Sequence, residues 1–165
     1  MPKEPIKILA INPGSRYIGM AFFQGSELRD WGIKVVKGRW SKDKMKKIRL
    51  IVSDFIERYG PNVLAIKRLH PSRGSERLKQ LVRRIKGLAK RKGLEVYQYS
   101  IKELEAFFSP DVRINKKQMA EIVASEYPAL FHELERERSH RNPYYIRMFE
   151  AVALGSMCFR HLDRF

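Results

Sequence analysis

Residues 8–23, ILAINPGSRYIGMAFF, set an apolar run against a tight turn and then a second β-prone run. Lys7 to Ile11 reads as a short strand buried on both faces, because polar residues do not alternate with its apolar ones. Asn12-Pro13-Gly14-Ser15 supplies turn chemistry, and Tyr17 to Phe23 resumes the sheet. Asn12 therefore stands at the end of a buried strand, a place that suits a carboxylate. Its side chain has that shape and no charge.

The elements that follow extend this beginning. Gln24-Gly25-Ser26 predicts a hairpin turn into a third strand from Leu28 to Val36, so the chain opens with three antiparallel strands. Ser41 caps a predicted helix whose Met45, Ile48, Val52, Phe55 and Tyr59 recur at helical spacing, and Gly60-Pro61 ends it. Val63 to Ile66 is too short for a helix and reads as a fourth, central strand that delivers Lys67 at its end. Leu78, Leu81, Val82, Ile85 and Leu88 mark a helix between Ser75 and Lys92, and Leu94 to Tyr99 makes a fifth strand. Ile101 to Phe108 is a short helical turn. Asn115 caps a helix carrying Met119, Ile122 and Val123, and the polar run 132–141, HELERERSHR, reads as an exposed helix end and linker. Asn142-Pro143 starts a last helix that reaches about His161. The order predicts an α/β fold: a five-stranded mixed sheet, three antiparallel strands followed by parallel ones, with helices on both faces.

The 165 residues are of single-domain length, one domain over 1–165, with enough apolar content (44%) for a substantial core. Against 18 acidic residues stand 34 Lys and Arg, a formal charge of +16. Such an excess favours a polyanionic partner, because each neutralised phosphate releases condensed counterions. A membrane partner is disfavoured, since no apolar run approaches about 18 residues, and MPKEPIK lacks the apolar core of a secretory signal. These traits predict a basic cytoplasmic protein. Cys158 has no second cysteine for a disulfide and no ligand neighbours at zinc spacing, and reads as core.

The segment Ile11 to Gly19, INPGSRYIG, resembles the first-strand motif of the RuvC-type Holliday-junction resolvases of the ribonuclease H-like superfamily, in which an aspartate precedes Pro-Gly. Three further pieces resemble that family in the right order: VLAIKR, whose counterpart ends on glutamate; RINKKQMAEIV, like a basic helix start; and YYIRMFEAVALG, like a last helix with two acids one turn apart. The resemblance implies a ribonuclease H-like fold, nucleic-acid binding with branched DNA as partner, and action as a homodimer. It also implies that four carboxylates hold two divalent metals that activate water. The matching positions here are Asn12, Lys67, Arg147 and Glu150, of which Glu150 alone keeps its charge. The set sums to about one positive charge in place of about four negative ones. At an effective dielectric of about 20, a unit charge about 5 Å from a divalent ion is worth roughly 7 kcal/mol before screening. The expectation is a degenerate site, a pseudo-nuclease without a metal or other cofactor, in which a salt bridge between Glu150 and Lys67 or Arg147 fills the metal pocket. Mg²⁺ or Mn²⁺ enters only if the chain is an active nuclease that recruits acids from elsewhere, for example Asp111 or Glu121, or uses a partner subunit.

From Lys67 to Lys92 a single acid, Glu76, interrupts the basic residues. A solvated helix face normally intersperses both signs, so this stretch reads as a phosphate-contacting surface. The residues expected to bind nucleic acid are Arg16, Lys67, Arg68, Arg73, Arg77, Lys79, Arg83, Arg84, Lys86 and Lys90, with Lys116 and Lys117 at the later helix start. Tyr17, Phe107, Phe108, Tyr144 and Tyr145 are candidates for stacking on bases. Binding through phosphates carries no sequence specificity of its own, and nothing in the sequence separates branched DNA from structured RNA.

Overall fold

The computed structural model describes residues 4–70, 75–139 and 144–163, the side chains of 138, 139 and 144 excepted. The expected strands form one five-stranded sheet: β1 (Lys7–Asn12), β2 (Tyr17–Gln24), β3 (Glu27–Val35), β4 (Val63–Lys67) and β5 (Glu95–Tyr99). Their order across the sheet is β3-β2-β1-β4-β5. Pairing is antiparallel among β1, β2 and β3 and parallel from β1 through β4 to β5. The change follows from connection length. The turns after β1 and β2 are short enough for hairpins, whereas a helix crosses over between β3 and β4 and between β4 and β5.

Two cores flank the sheet, and strand alternation divides the residues between them. Leu9 and Ile11 of β1, with Leu64 and Ile66 of β4, face α1 (Lys42–Tyr59) and α2 (Glu76–Arg91). Ile8 and Ala10, with Val63 and Ala65, face α3 (Ile101–Phe108), α4 (Lys116–Glu126), α5 (Phe131–Ser139) and α6 (Tyr144–Leu162). Ser41, Ser75, Ser100 and Asn115 accept a backbone N–H at the starts of α1 to α4, so each helix begins where its capping side chain stands. Gly60, in the left-handed conformation, closes α1.

Helix α6 is set directly on the sheet. A Cβ on Gly19 would lie 2.1 Å from the carbonyl oxygen of Arg147, and one on Gly155 would lie 2.2 Å from the ring of Phe23. From Gly19 to Phe23 the strand advances about 13 Å, and from Arg147 to Gly155 the helix advances about 12 Å. The helix thus runs along β2 in the same direction, with a missing side chain at each end of the contact. Cys158 of this helix is fully buried in the core on that face, and its thiol is pushed up to about 11, chiefly by burial.

The polar run from His132 is helical through Ser139, with His132, Glu135 and Arg136 exposed as expected, and it is more deeply packed than an exposed helix end and linker would be. Residues 131–139 form α5, in which Leu134 and Glu137 are buried. Tertiary packing against α4 and α6 orders a segment whose composition alone predicts solvation. The Asn142-Pro143 helix start and Arg73 lie outside the described residues. Among those residues no helix is long and apolar enough to cross a membrane.

Candidate functional site

Three elements converge at the carboxyl edge of the sheet. Asn12 ends β1 and Lys67 ends β4, and these strands are paired in parallel with Ile11 beside Ile66, which brings the next residue of each to the same level. Even positions of β1 and odd positions of β4 face α6, so both side chains point to the face where α6 presents Glu150. Asn12 is paired across β2 with Gly19, the residue on which the Arg147 carbonyl rests. The glycine that lets α6 approach therefore also sets the depth of Glu150.

Glu150 is 1% exposed, more deeply buried than its helix-face neighbours predict, and each of its oxygens is held. Oε2 accepts from Lys67 Nζ at 2.8 Å and from Asn12 Nδ2 at 2.7 Å. Oε1 lies 3.1 Å from Lys116 Nζ, at the start of α4. Asn12 Nδ2 also donates to the Arg147 carbonyl at 3.2 Å, while its Oδ1 is buried with no hydrogen-bond partner among the described residues. Turning the amide over would place that oxygen against the carboxylate, so the orientation with Nδ2 on Glu150 is the favourable one.

Of the two expected partners of Glu150, Lys67 makes the salt bridge and Arg147 does not. Its guanidinium donates to the carbonyl of Pro13 at 3.4 Å, and the second ammonium on Glu150 is that of Lys116. Nothing in the residue order signals this, because Lys116 reads as one more basic residue at a helix start. Only the packing of α4 against α6 brings it across.

The electrostatics follow from the geometry. Burial pulls the Lys67 ammonium below the usual lysine range; Glu150 opposes the shift, and Lys116 and Arg147 add to it. Burial alone would raise Glu150, but the ammoniums of Lys67 and Lys116 outweigh it and hold the carboxyl below the ordinary value. Glu150 is the more strongly stabilised partner, having two ammoniums to itself, whereas Lys67 shares one carboxylate with other cations. Lys67, Lys116 and Arg147 against Glu150 leave the cluster two positive charges in excess.

This donor set does not suit a divalent ion. Both carboxylate oxygens face ammonium groups, and the amide presents N–H where a ligand needs a lone pair. Among the described residues no three His, Cys, Asp or Glu side chains are grouped so as to hold a metal. Asp111 lies beside a surface hollow with Lys102 and Arg113, and Glu121 is exposed on α4, so neither completes such a group with Glu150.

The remaining expected contacts scatter. Arg68 is exposed and pairs with Glu103 at 3.2 Å, Lys79 pairs with Glu76, and Lys86 donates to Gln98 at 3.3 Å. Arg77, Arg83, Arg84 and Lys90 are exposed on α2, Lys117 is exposed on α4, and Arg16 is exposed in the β1–β2 turn with its guanidinium 5.5 Å from the Tyr17 ring centre. Of the aromatic candidates, Tyr145 packs against the α6-side core, and Phe107 and Phe108 stand edge to face under Arg160.

Over nearly its whole length the chain superposes on solved resolvase structures. Thermus thermophilus RuvC in complex with Holliday junction substrate matches at a TM-score of 0.70 with 16% identity, covering 96% of each chain. The yeast mitochondrial Holliday junction resolvase Ydc2 matches at 0.66 with 16% identity, over 99% of this chain and 83% of that one. Fowlpox virus resolvase with substrate Holliday junction DNA matches at 0.61 with 15% identity, over 95% and 99%. At these identities the likeness shows the fold, which is that of the RuvC-type Holliday junction resolvases, as the motif from Ile11 to Gly19 implies. The chain matches no protein-family profile and no curated protein sequence.

Proposed function

We propose that this chain, built on the resolvase fold, binds branched DNA of the four-way-junction type through its phosphates and does not cut it by metal-dependent hydrolysis. The observation that carries the reading is the pair of ammonium groups, Lys67 and Lys116, on the two oxygens of Glu150. In a two-metal nuclease the charge that attracts the phosphodiester also activates water. Here the positive charge is covalently attached. It can attract a phosphate but supplies no polarised water. Junction DNA comes from the proteins of like fold, two of which were solved with it. Pairing as a homodimer belongs to the same proposal, and sedimentation with and without junction tests it.

Purified protein incubated with labelled four-way junctions in Mg²⁺ or Mn²⁺ is expected to retard the junction and leave both strands intact. Divalent-dependent symmetric nicks overturn the proposal. In competition at matched salt, junction DNA should displace linear duplex and structured RNA; preference for RNA overturns the choice of partner. The triple variant N12D/K67E/R147D should acquire Mg²⁺ affinity measurable by calorimetry. Equal Mg²⁺ binding by the unaltered protein contradicts the charge argument.

A further inference from the structure

On the other face of the sheet, α1 and α2 leave a seam whose hollows are lined by cations and, among the described residues, by no acid. A hollow of about 500 Å³ between the helices is lined by Arg49, Arg83, Arg84 and Arg91, with Gln80 and Gly87 between them. A neighbouring hollow shares Gln80 and Arg84 with it and adds Lys42 and Trp40. Trp40 in turn belongs to a cleft of about 630 Å³ at the carboxyl edge, where Arg16, Lys37 and Arg77 converge. Among the described residues no Asp or Glu lines any of the three hollows. Two acids of these helices are occupied elsewhere, Glu57 with Lys92 and Glu76 with Lys79.

Four guanidiniums around one hollow repel one another, and among the described residues none of the four makes an ion pair. Burying part of Arg49 there adds a desolvation cost. A bound polyanion relieves both. Arginine, present at all four positions, forms paired N–H contacts to phosphate oxygens that lysine cannot. The track also joins the central cluster. Arg16 lies in the turn that begins at Asn12, and the same turn is tied to α6 through Arg147 and the Pro13 carbonyl.

We infer that the α1–α2 seam is a second phosphate-binding track, which takes the backbone of a duplex arm of the nucleic acid whose branch lies at the Glu150 cluster. This rests on the proposed binding of branched nucleic acid. It adds residues outside the expected basic stretch, Lys37, Lys42 and Arg49, and sets Arg91 of that stretch beside them. The two tracks lie on opposite faces of the sheet and meet at its carboxyl edge, so they engage different stretches of backbone. An unbranched short duplex reaches one of them; a junction with full arms reaches both.

The test is the salt dependence of junction binding by the full chain. The variant R83Q/R84Q/R91Q alters three exposed side chains. If each contacts a phosphate, the slope of log K against log salt should become shallower by about 2–3, since each contact contributes about 0.9. R83K/R84K/R91K, which keeps the charge, should recover most of the slope. Should the triple variant fail to fold by circular dichroism, the single variants carry the test, each expected to reduce the slope by about 0.9. An unaltered slope in folded variants, with normal junction binding by the parent chain, overturns the second track and leaves the proposed function standing. Failure of the parent chain to bind any junction at low salt overturns both.

Discussion

The cations around Glu150 and the arginines of the α1–α2 seam carry the same sign and are held in opposite ways. At the carboxyl edge, two ammoniums and one amide close on a single buried carboxylate, so much of their field is spent within the protein. Along the seam, four guanidiniums surround a hollow with no acid in its lining among the described residues. Paired charge fixes the position of α6 against β1 and β4. Unpaired charge is left for a ligand. A count of basic residues cannot separate these uses, because both contribute equally to the formal excess of +16.

The largest expected effect breaks the first region. Glu150→Gln preserves shape and removes the charge that Lys67 requires, and should cost about 3–5 kcal/mol in chemical denaturation, the usual penalty for orphaning a buried ion. The double variant K67M/E150L removes both charges and should lie within about 1 kcal/mol of the parent. Equal losses in the two variants would show that packing and not the ion pair matters at this position.

Next in size is Gly19→Ala, whose Cβ would fall 2.1 Å from the Arg147 carbonyl oxygen and force α6 off β2. A loss of about 1–3 kcal/mol is expected, read as a lowered melting temperature. The seam belongs to the opposite core, so the contribution of its arginines to the junction salt slope should survive at temperatures where the variant is folded.

The pH dependence sharpens the comparison further. Glu150 lies below its ordinary 4.5, so its contribution is complete above about that pH and is lost as the pH falls through the folded value. Lys67 lies below 10.5, so the unfolded chain holds a proton that the folded chain releases first. Its unfavourable contribution fades as pH rises toward 10.5. Melting temperatures below pH 4.5 should therefore fall more steeply for the parent than for E150Q, and parallel curves would contradict the pairing.

The smallest effect belongs to the seam. R83Q/R84Q/R91Q should change stability by no more than about 0.5 kcal/mol, as exposed unpaired charges do, while altering nucleic-acid affinity. A large loss of stability would mean that these arginines support the helix pair.

Much of the sheet was legible because its signals are local. The unbroken apolar run of β2, the turn at Asn12 to Ser15, and the caps at Ser41 and Asn115 each depend on residues close to one another in the chain. The burial of Leu134 and Glu137 in α5 was not legible for the complementary reason: it depends on how the flanking helices α4 and α6 fold back on α5, which composition does not report. At the site, Asn12, Lys67 and Glu150 were expected together through the resemblance, and the parallel pairing of β1 with β4 brings the first two side by side. The place of Lys116 was not legible, since more than thirty residues separate it from Glu150 and no local pattern couples them.

The sequence by itself determined the strand order along the chain, the strand-turn-strand start and the sign of the charge, because these are properties of neighbouring residues and of sums. Which cations would be neutralised and which left open was decided by the tertiary structure. The energy of a charge depends on its burial and on what stands within a few ångströms of it. Those distances exist only once α4 and α6 have closed over Glu150 and α1 has been laid beside α2.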